Sequence, residues 1–361
     1  MKDWFMKKTR LTVVISDLGF GGAQNMVYEQ LKFADRQGYD ISVVVLGPKK
    51  DTPIAQSLGA MLPVKYAGHC GRVTPITICK MLWMIQVTKP DIVHGHIGGV
   101  GFAAMWAKLF RKPLVVTAHT KPEKAFTPKV EKQVRAALKN GKTRLVAVSE
   151  DNANKLQQYF ALDEKLCACV NNGIDLDRFT RKEHDVFTVI HVGRQDENKN
   201  QAALIRCFAR LHEKHPNTRL LLLGDGDRHQ KLINLVASFG LHDVVTFTGN
   251  VSNTEDYYAI SNLYVQCSHR EAMPLSVLEA MAAGLPIVST DVGGLRDVVQ
   301  DNGILVPDND DEALYRAIEK IYNQSEKETK NMCVASDRIV ENYSSKAMAQ
   351  AYEKIYSEIC K

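Results

Sequence analysis

Two carboxylates eight residues apart, Glu271 and Glu279, stand in the run His269-Arg270-Glu271-Ala272-Met273-Pro274-Leu275-Ser276-Val277-Leu278-Glu279. The first belongs to a loop and the second to the helix that the loop feeds, with Pro274 at or near the first helical turn, where a missing N–H costs nothing. Leu275 and Ser276 then offer free backbone donors, and a helix start of that kind binds phosphate. Carboxylates on either side of such a phosphate accept hydrogen bonds from hydroxyls, one suiting a sugar ring and the other a ribose. The plainer reading makes both of them ordinary exposed carboxylates, with Glu279 on a helix packed through Leu278, Met281 and Ala282. The continuation through Gly284-Leu285-Pro286 into a strand, and on to Asp291-Val292-Gly293-Gly294, favours the former.

A pair of cations follows another strand, in His191-Val192-Gly193-Arg194-Gln195-Asp196-Glu197-Asn198-Lys199-Asn200. Gly193 frees the backbone, and Arg194 and Lys199 would neutralise a diphosphate, the one by its planar fork and the other as a point charge. Taken alone, surface ion pairs to Asp196 and Glu197 are the better account of them. The turn Gly19-Phe20-Gly21-Gly22-Ala23-Gln24 is a weak dinucleotide signal: position 24 is Gln where the third glycine belongs, and Asp40 precedes the second strand instead of ending it. Close approach of this loop to a ligand stays open. Leu223-Gly224-Asp225-Gly226-Asp227 fails in the same way, with His229 at the third position.

Three D-x-D matches, at Asp175, Asp225 and Asp308, are too many for so short a pattern and indicate background rather than a metal site. Among 11 histidines, His119 closes the strand Leu114 to Ala118 at the carboxyl edge where α/β sheets keep their sites. His94 and His96 flank another such edge and read as structural, since no carboxylate or Cys accompanies them as a further metal ligand. The eight cysteines are scattered without a C-x-x-C pair, which predicts buried free thiols.

The elements that must hold these groups alternate between strand and helix. Leu11–Ile15, an amphipathic stretch from Ala23 to Gln37, and Ile41–Leu46 make a βαβ opening. Further strands are expected at 91–93, 114–117, 145–148 and 167–170, so the sheet is mainly parallel. Asn171 to Lys182 is polar and turn-rich, and a second series begins with Phe187–Val192, then 219–223, 244–247, 263–266 and 287–289. Residues 344–360 read as a capped amphipathic final helix, with Ser344 or Ser345 as N-cap.

At 361 residues the chain exceeds one ordinary core, which predicts two domains. Its longest uncharged apolar run, Ile97 to Ala107, is half of what a membrane-spanning helix needs. Lys2, Lys7, Lys8 and Arg10 precede an apolar run too short for a secretory signal, so a cytoplasmic protein is expected. Residues 1–180 hold 26 Lys and Arg against 15 Asp and Glu, +11, and the remainder 20 against 26, −6. A basic module joined to an acidic one suggests a polyanionic partner for the first half, or simply a solvated basic face. Eight cations against Glu123 and Glu131 over 121–144, with Met105-Trp106-Ala107-Lys108-Leu109-Phe110-Arg111-Lys112 beside them, point to an anionic membrane surface and not to nucleic acid.

With these residues assembled, the run EAMPLSVLEAMAAGLPIVSTDVGG, carrying E-x7-E as Glu271 and Glu279, resembles retaining glycosyltransferase family 4 of the GT-B fold, and the resemblance covers nearly the whole chain. Supporting matches are GGAQ (21–24), TAH (117–119), NNGID (171–175), VGR (192–194) with Lys199, GDGD (224–227), FTG (247–249) and NGILVP (302–307). Ala272 and Asn200 depart from it, each standing where the family usually has Gly.

The resemblance implies an α/β protein of two Rossmann-like doubly wound domains facing a central cleft. Residues 1–177 would form an acceptor-binding domain, with the helix 344–361 packing back on it, and residues 178–343 a nucleotide-sugar-binding domain. Arg194 and Lys199 would hold the diphosphate, Glu279 the ribose, and Glu271 the donor sugar near its C3 hydroxyl. The backbone of Met273, Pro274, Leu275 and Ser276 would meet the phosphates, and Gly249 to Val251 would edge the base. Gly21 and Gly22 would approach the phosphate from the opposite domain; His119 would face the sugar and, with Glu271, is the catalytic candidate.

The implied reaction moves a sugar, with UDP as the favoured carrier, to a glycan acceptor on a lipid-linked surface polysaccharide or a glycolipid. It proceeds with retention and without a metal or other cofactor, at the inner face of the cell membrane. A nucleotide-sugar epimerase or phosphorylase on the same fold, and a sugar-nucleotide-binding protein without turnover, are the alternatives.

Overall fold

The structure, a computed structural model, describes residues 8–182, 185–271 and 273–360. Ala272, one of the two departures from the family pattern, and Lys2 and Lys7 of the basic N-terminal run lie outside the described residues. The chain folds as two units, one running to Gly173 and resuming at Ser345, the other spanning Ile174–Ser344.

The first unit is a seven-stranded sheet of β1 (Thr9–Ile15), β2 (Tyr39–Val45), β3 (Val64–Tyr66), β4 (Ile92–His96), β5 (Leu114–Ala118), β6 (Thr143–Ala147) and β7 (Cys167–Cys169), in the order β3-β2-β1-β4-β5-β6-β7. Every pairing is parallel. Helices cover both faces of such a sheet, so its central strands read as unbroken apolar runs: Val13, Val14, Ile15, Val43, Val44 and Val45 have no exposed surface. The second unit repeats the plan with β8 (Phe187–Val192), β9 (Thr218–Leu223), β10 (Val245–Gly249), β11 (Leu263–Gln266), β12 (Ile287–Thr290) and β13 (Gly303–Val306), ordered β10-β9-β8-β11-β12-β13 and again parallel.

In each unit the strand order reverses once, between β1 and β4 and between β8 and β11. A crevice at the carboxyl ends of the strands opens at such a switch point, and ligands of doubly wound sheets sit there.

Several sequence expectations are corrected. The short edge strands β3 and β13, three and four residues long, were not anticipated. The first helix is Gly22–Lys32, not a run to Gln37. It stops early because the Asp35 carboxylate accepts the N–H groups of Gln37 and Gly38 at 2.8 and 3.0 Å, turning the chain back toward β2. Asp40 therefore lies inside β2 and not before it. His94 and His96 likewise belong to β4 itself.

The final helix, Ser345–Cys360, packs within the first unit on the helix Gly22–Lys32. Ser345 Oγ donates to Glu29 at 2.8 Å, and Tyr356 accepts from Gln30 Nε2 at 2.7 Å. All eight cysteines are free thiols, but against the expectation of burial Cys70, Cys79 and Cys360 are exposed. No described helix is long and apolar enough to cross a membrane.

Candidate functional site

In the second unit the switch point brings the two sequence constellations together. β8 and β11 are hydrogen-bonded neighbours, with Val189 opposite Leu263 and Ile190 opposite Tyr264, so the loops that leave their carboxyl ends emerge side by side. One carries Arg194 and Lys199, the other Glu271. Lys199 Nζ donates to Glu271 Oε1 at 2.6 Å, and the pair retains only 18% and 12% side-chain exposure.

Glu271 is further fixed by Gln266, whose Nε2 donates to the same oxygen at 2.9 Å. Gln266 ends β11 without exposed surface and also donates to Ser268 Oγ at 2.7 Å. A buried amide at a strand end holds its neighbours because leaving any of its groups unpaired is costly.

Arg194 does not join this pair. Its side chain is 76% exposed and bonds Asp196 at 2.7 Å. The ion-pair reading of the cations is therefore met for Arg194 with Asp196, whereas Lys199 takes Glu271 and Glu197 takes Arg228 at 2.8 Å. Asn200, immediately after Lys199, has φ 50°, ψ 37°. This left-handed conformation favours glycine, and asparagine is among the few other residues that enter it readily, which accounts for both the family's usual Gly and the Asn found here.

The helix that follows Glu271 is Leu275–Ala282, with Pro274 as its N-cap and no side-chain cap. The N–H groups of Leu275 and Ser276 thus stand in the first turn, where no helical carbonyl precedes them. Met273 and Leu275 are buried, which anchors the helix start. Glu279 Oε2 receives the Tyr258 hydroxyl at 3.1 Å, and the same hydroxyl lies 2.9 Å from Ser276 O. Tyr264 donates its hydroxyl proton to Gln266 Oε1, and its oxygen lies 2.8 Å from Ser276 Oγ, which donates to it. Two buried tyrosines thereby connect the helix start and its carboxylate to Gln266 and so to Glu271. Burial raises both phenols well above their ordinary value, keeping them as neutral donors.

Sequence reading missed Gln266, Tyr258 and Tyr264. A polar residue closing an otherwise apolar strand, in Leu263-Tyr264-Val265-Gln266, is the signal that could have pointed to the first.

The loops beside these groups are held closely. Gly249 ends β10 with φ 66°, and its carbonyl accepts from Gly224 N at 2.8 Å. A Cβ on Gly226 would stand 2.2 Å from Gln195 O, so only glycine lets that loop lie against the loop that carries Arg194 and Lys199. Val251 is half-buried. His191, wholly buried beneath the loop, donates Nδ1–H to Val265 O at 2.8 Å, and burial pushes it down to about 4. Asp310 caps the helix Asp311–Tyr322 and Asp308 pairs with His269 at 2.7 Å, local roles for one of the D-x-D matches. Among the described residues no three His, Cys, Asp or Glu side chains gather as metal ligands.

In the first unit the switch point presents Gly21 and Gly22, exposed at the N-terminus of the helix Gly22–Lys32. The loop before them is tied down by Asp17, which accepts Gly19 N and Lys50 Nζ, both at 2.9 Å. His119 follows β5, half-buried, with Nε2 3.1 Å from Nδ1 of His96. His94 lies against His96 with ring centroids 3.9 Å apart and the ring planes tilted by 42°. Its Nδ1 lies 2.7 Å from the Tyr356 hydroxyl and its Nε2 2.8 Å from Thr117 Oγ1. Burial lowers His94 and His96 well below their ordinary value and His119 to about 4, so that all three are neutral at pH 7.

Comparison with known proteins gives two family matches, "Glycosyltransferase Family 4" over residues 20–178 and "Glycosyl transferases group 1" over 174–336. A Bacillus subtilis protein described as a glycosyltransferase, EpsD, is 30% identical over 275 residues, 67% of this chain and 70% of that one. The D-inositol 3-phosphate glycosyltransferase of Streptomyces bingchenggensis is 30% identical over 258 residues, 60% of this chain and 55% of that protein. The chain thus spans little more than half the length of several curated relatives it matches. Among solved structures, Anabaena Alr3699/HepE in complex with UDP and glucose superposes with a TM-score of 0.82 at 19% identity, over 97% of this chain and 99% of that one.

Proposed function

The chain belongs to the family 4 glycosyltransferases, and from that premise we propose that it moves a sugar from a nucleotide-sugar donor to a glycan acceptor, with retention of anomeric configuration and without a metal or other cofactor. One observation carries the proposal. Lys199 and Glu271 lie 2.6 Å apart beside a helix N-terminus. An ammonium and a carboxylate so close would be met together by a ligand that joins an anion directly to a hydroxylated ring, and a sugar phosphate is such a ligand.

In this reading the diphosphate takes Lys199, Arg194 swung from Asp196, and the N–H groups of Leu275 and Ser276, with the backbone of Met273 and Pro274 alongside. Glu271 reads a hydroxyl of the sugar and Glu279 the ribose. Gly249 and Val251 edge the base; in the first unit Gly21, Gly22 and His119 are proposed to bind the donor. UDP is the favoured carrier; the named UDP complex of a structural neighbour supports that choice.

As the bond from sugar C1 to the phosphate oxygen breaks, negative charge develops on the diphosphate, and cations and backbone donors placed in advance stabilise it. Glu271 is engaged by Lys199 and Gln266, which suits a hydroxyl reader more than a nucleophile. The acceptor oxygen therefore bonds C1 on the face the phosphate leaves, and its proton passes to the departing phosphate oxygen. NMR of the product decides this step, since an inverted anomeric centre overturns it. A thermal-shift and transfer screen of nucleotide sugars with and without EDTA tests donor and metal requirement together. Unchanged melting with every nucleotide sugar, or activity abolished by EDTA, would count against the proposal.

The acceptor is proposed to be lipid-linked, reached from an anionic membrane surface through the basic first unit. Between Asp51 and Glu123 eight Lys and Arg face a single acid, Asp91, which Arg10 already engages at 2.9 Å. Along the same stretch Ile76, Trp83 and Leu109 are 79%, 65% and 65% exposed. Cations with large exposed apolar side chains suit a lipid interface. Sedimentation with anionic but not neutral liposomes at low salt is expected, and equal sedimentation with both argues against the membrane partner.

A further inference from the structure

We propose that His96 is a positioning residue: it donates Nδ1–H to His119 Nε2 and so holds His119 as the Nδ1–H tautomer, a hydrogen-bond donor to the sugar and not a base. What His119 touches rests on the function proposed above; the tautomer follows from the geometry alone.

His96 closes β4 with no exposed surface. Its Nδ1 is 3.1 Å from His119 Nε2, while its own Nε2, equally buried, has no hydrogen-bond partner among the described residues. A neutral imidazole carries one proton, on one nitrogen or the other. Were that proton on Nε2 of His96, a buried N–H would be left without an acceptor. With the proton on Nδ1, only a lone pair goes unmatched, and orphaned buried N–H groups are the rarer of the two. His96 is then the donor and His119 Nε2 the acceptor, which leaves the proton of His119 on Nδ1.

His119 Nδ1 makes no hydrogen bond among the described residues, and the ring is half-buried at the carboxyl end of β5, where ligands of such sheets bind. With Nε2 filled, the group left to offer is an N–H.

The orientation of His96 is itself backed by the final helix. The Tyr356 hydroxyl accepts from Gln30 and has its one proton to give to His94 Nδ1. His94 Nε2–H then goes to Thr117, whose hydroxyl lies 3.0 Å from Tyr352. His94, locked at both nitrogens, is the ring against which His96 packs.

Long-range proton–nitrogen NMR on protein labelled with 15N-histidine reads the tautomer directly. Protonated Nδ1 and bare Nε2 on His119 are expected; the reverse overturns the proposal, and the wild-type spectrum alone decides. His96→Asn keeps an amide N–H close to the place of Nδ1, whereas His96→Phe removes it. The Nδ1–H signal of His119 should persist in the first and be lost in the second, and its persistence in the Phe variant overturns the role of His96.

For turnover, His119→Asn preserves a donor near Nδ1 and His119→Gln shifts it toward Nε2. The Asn variant is expected to exceed the Gln variant at least tenfold in kcat at similar donor KM; equality or reversal overturns the donor role. A folded protein with Nδ1–H on His119 that transfers no sugar would sink the function proposed above while supporting the tautomer.

Discussion

Lys199 and Glu271 carry the proposed site, and each shapes what the other can do. A charge-assisted hydrogen bond contributes about 1.5–3 kcal/mol, so Lys199→Met should weaken nucleotide-sugar binding by roughly ten- to a hundredfold, measured by calorimetry, and unaltered affinity would remove Lys199 from the site. Gln266→Leu is the subtler case. It leaves every charge in place but frees Glu271, which now receives Gln266 Nε2 at 2.9 Å. Binding of UDP-sugars should fall while binding of free UDP holds; an equal loss for both would mean that Gln266 supports the loop and not the carboxylate. The charged residues were legible because charge in a loop after an apolar strand stands out. Gln266, Tyr258 and Tyr264 were not, because a polar side chain inside a strand or helix discloses its role only through the partner it meets.

At the scale of elements, the junction after β8 is set by a backbone requirement. Asn200 holds φ 50° at the start of the helix Gln201–Lys214. Asn200→Gly should therefore be tolerated, whereas Asn200→Val should cost about 1–2 kcal/mol by urea unfolding, the penalty of an L-residue in that region. The final helix is held otherwise, by hydroxyls. Tyr356→Phe removes the group between Gln30 and His94 and leaves two buried polar side chains unmatched; about 1–3 kcal/mol of destabilisation is expected, and none would show that packing alone docks the helix. Strand–helix alternation was readable from periodicity over most of the chain. The edge strands β3 and β13 were missed, and the first helix ends where Asp35 forms a turn that no helical period announces.

For the molecule as a whole, four histidines are buried neutral or nearly so: His94, His96, His119 and His191. Their folded values lie below the ordinary 6.5, so unfolding takes up protons, and the stability they contribute is present above pH 6.5 and lost as pH falls toward 4. Carboxylates held low, such as Asp91 at about 2, add their loss only below the usual carboxylate range. The urea midpoint should thus drop between pH 7 and 5; a flat profile there would mean that the histidines are solvated. From local pattern alone the sequence determined the parallel α/β class, the two series of strands, the basic and acidic halves, and the charged loop residues proposed here for the site, because periodicity, composition and loop charges are properties of neighbours along the chain. Only the tertiary structure decided that Lys199 meets Glu271, 72 residues away, while Arg194 turns to Asp196, and that His96 backs His119. Those pairings depend on which strands lie beside each other at the switch points, and strand order is a property of the folded sheet that no segment carries by itself.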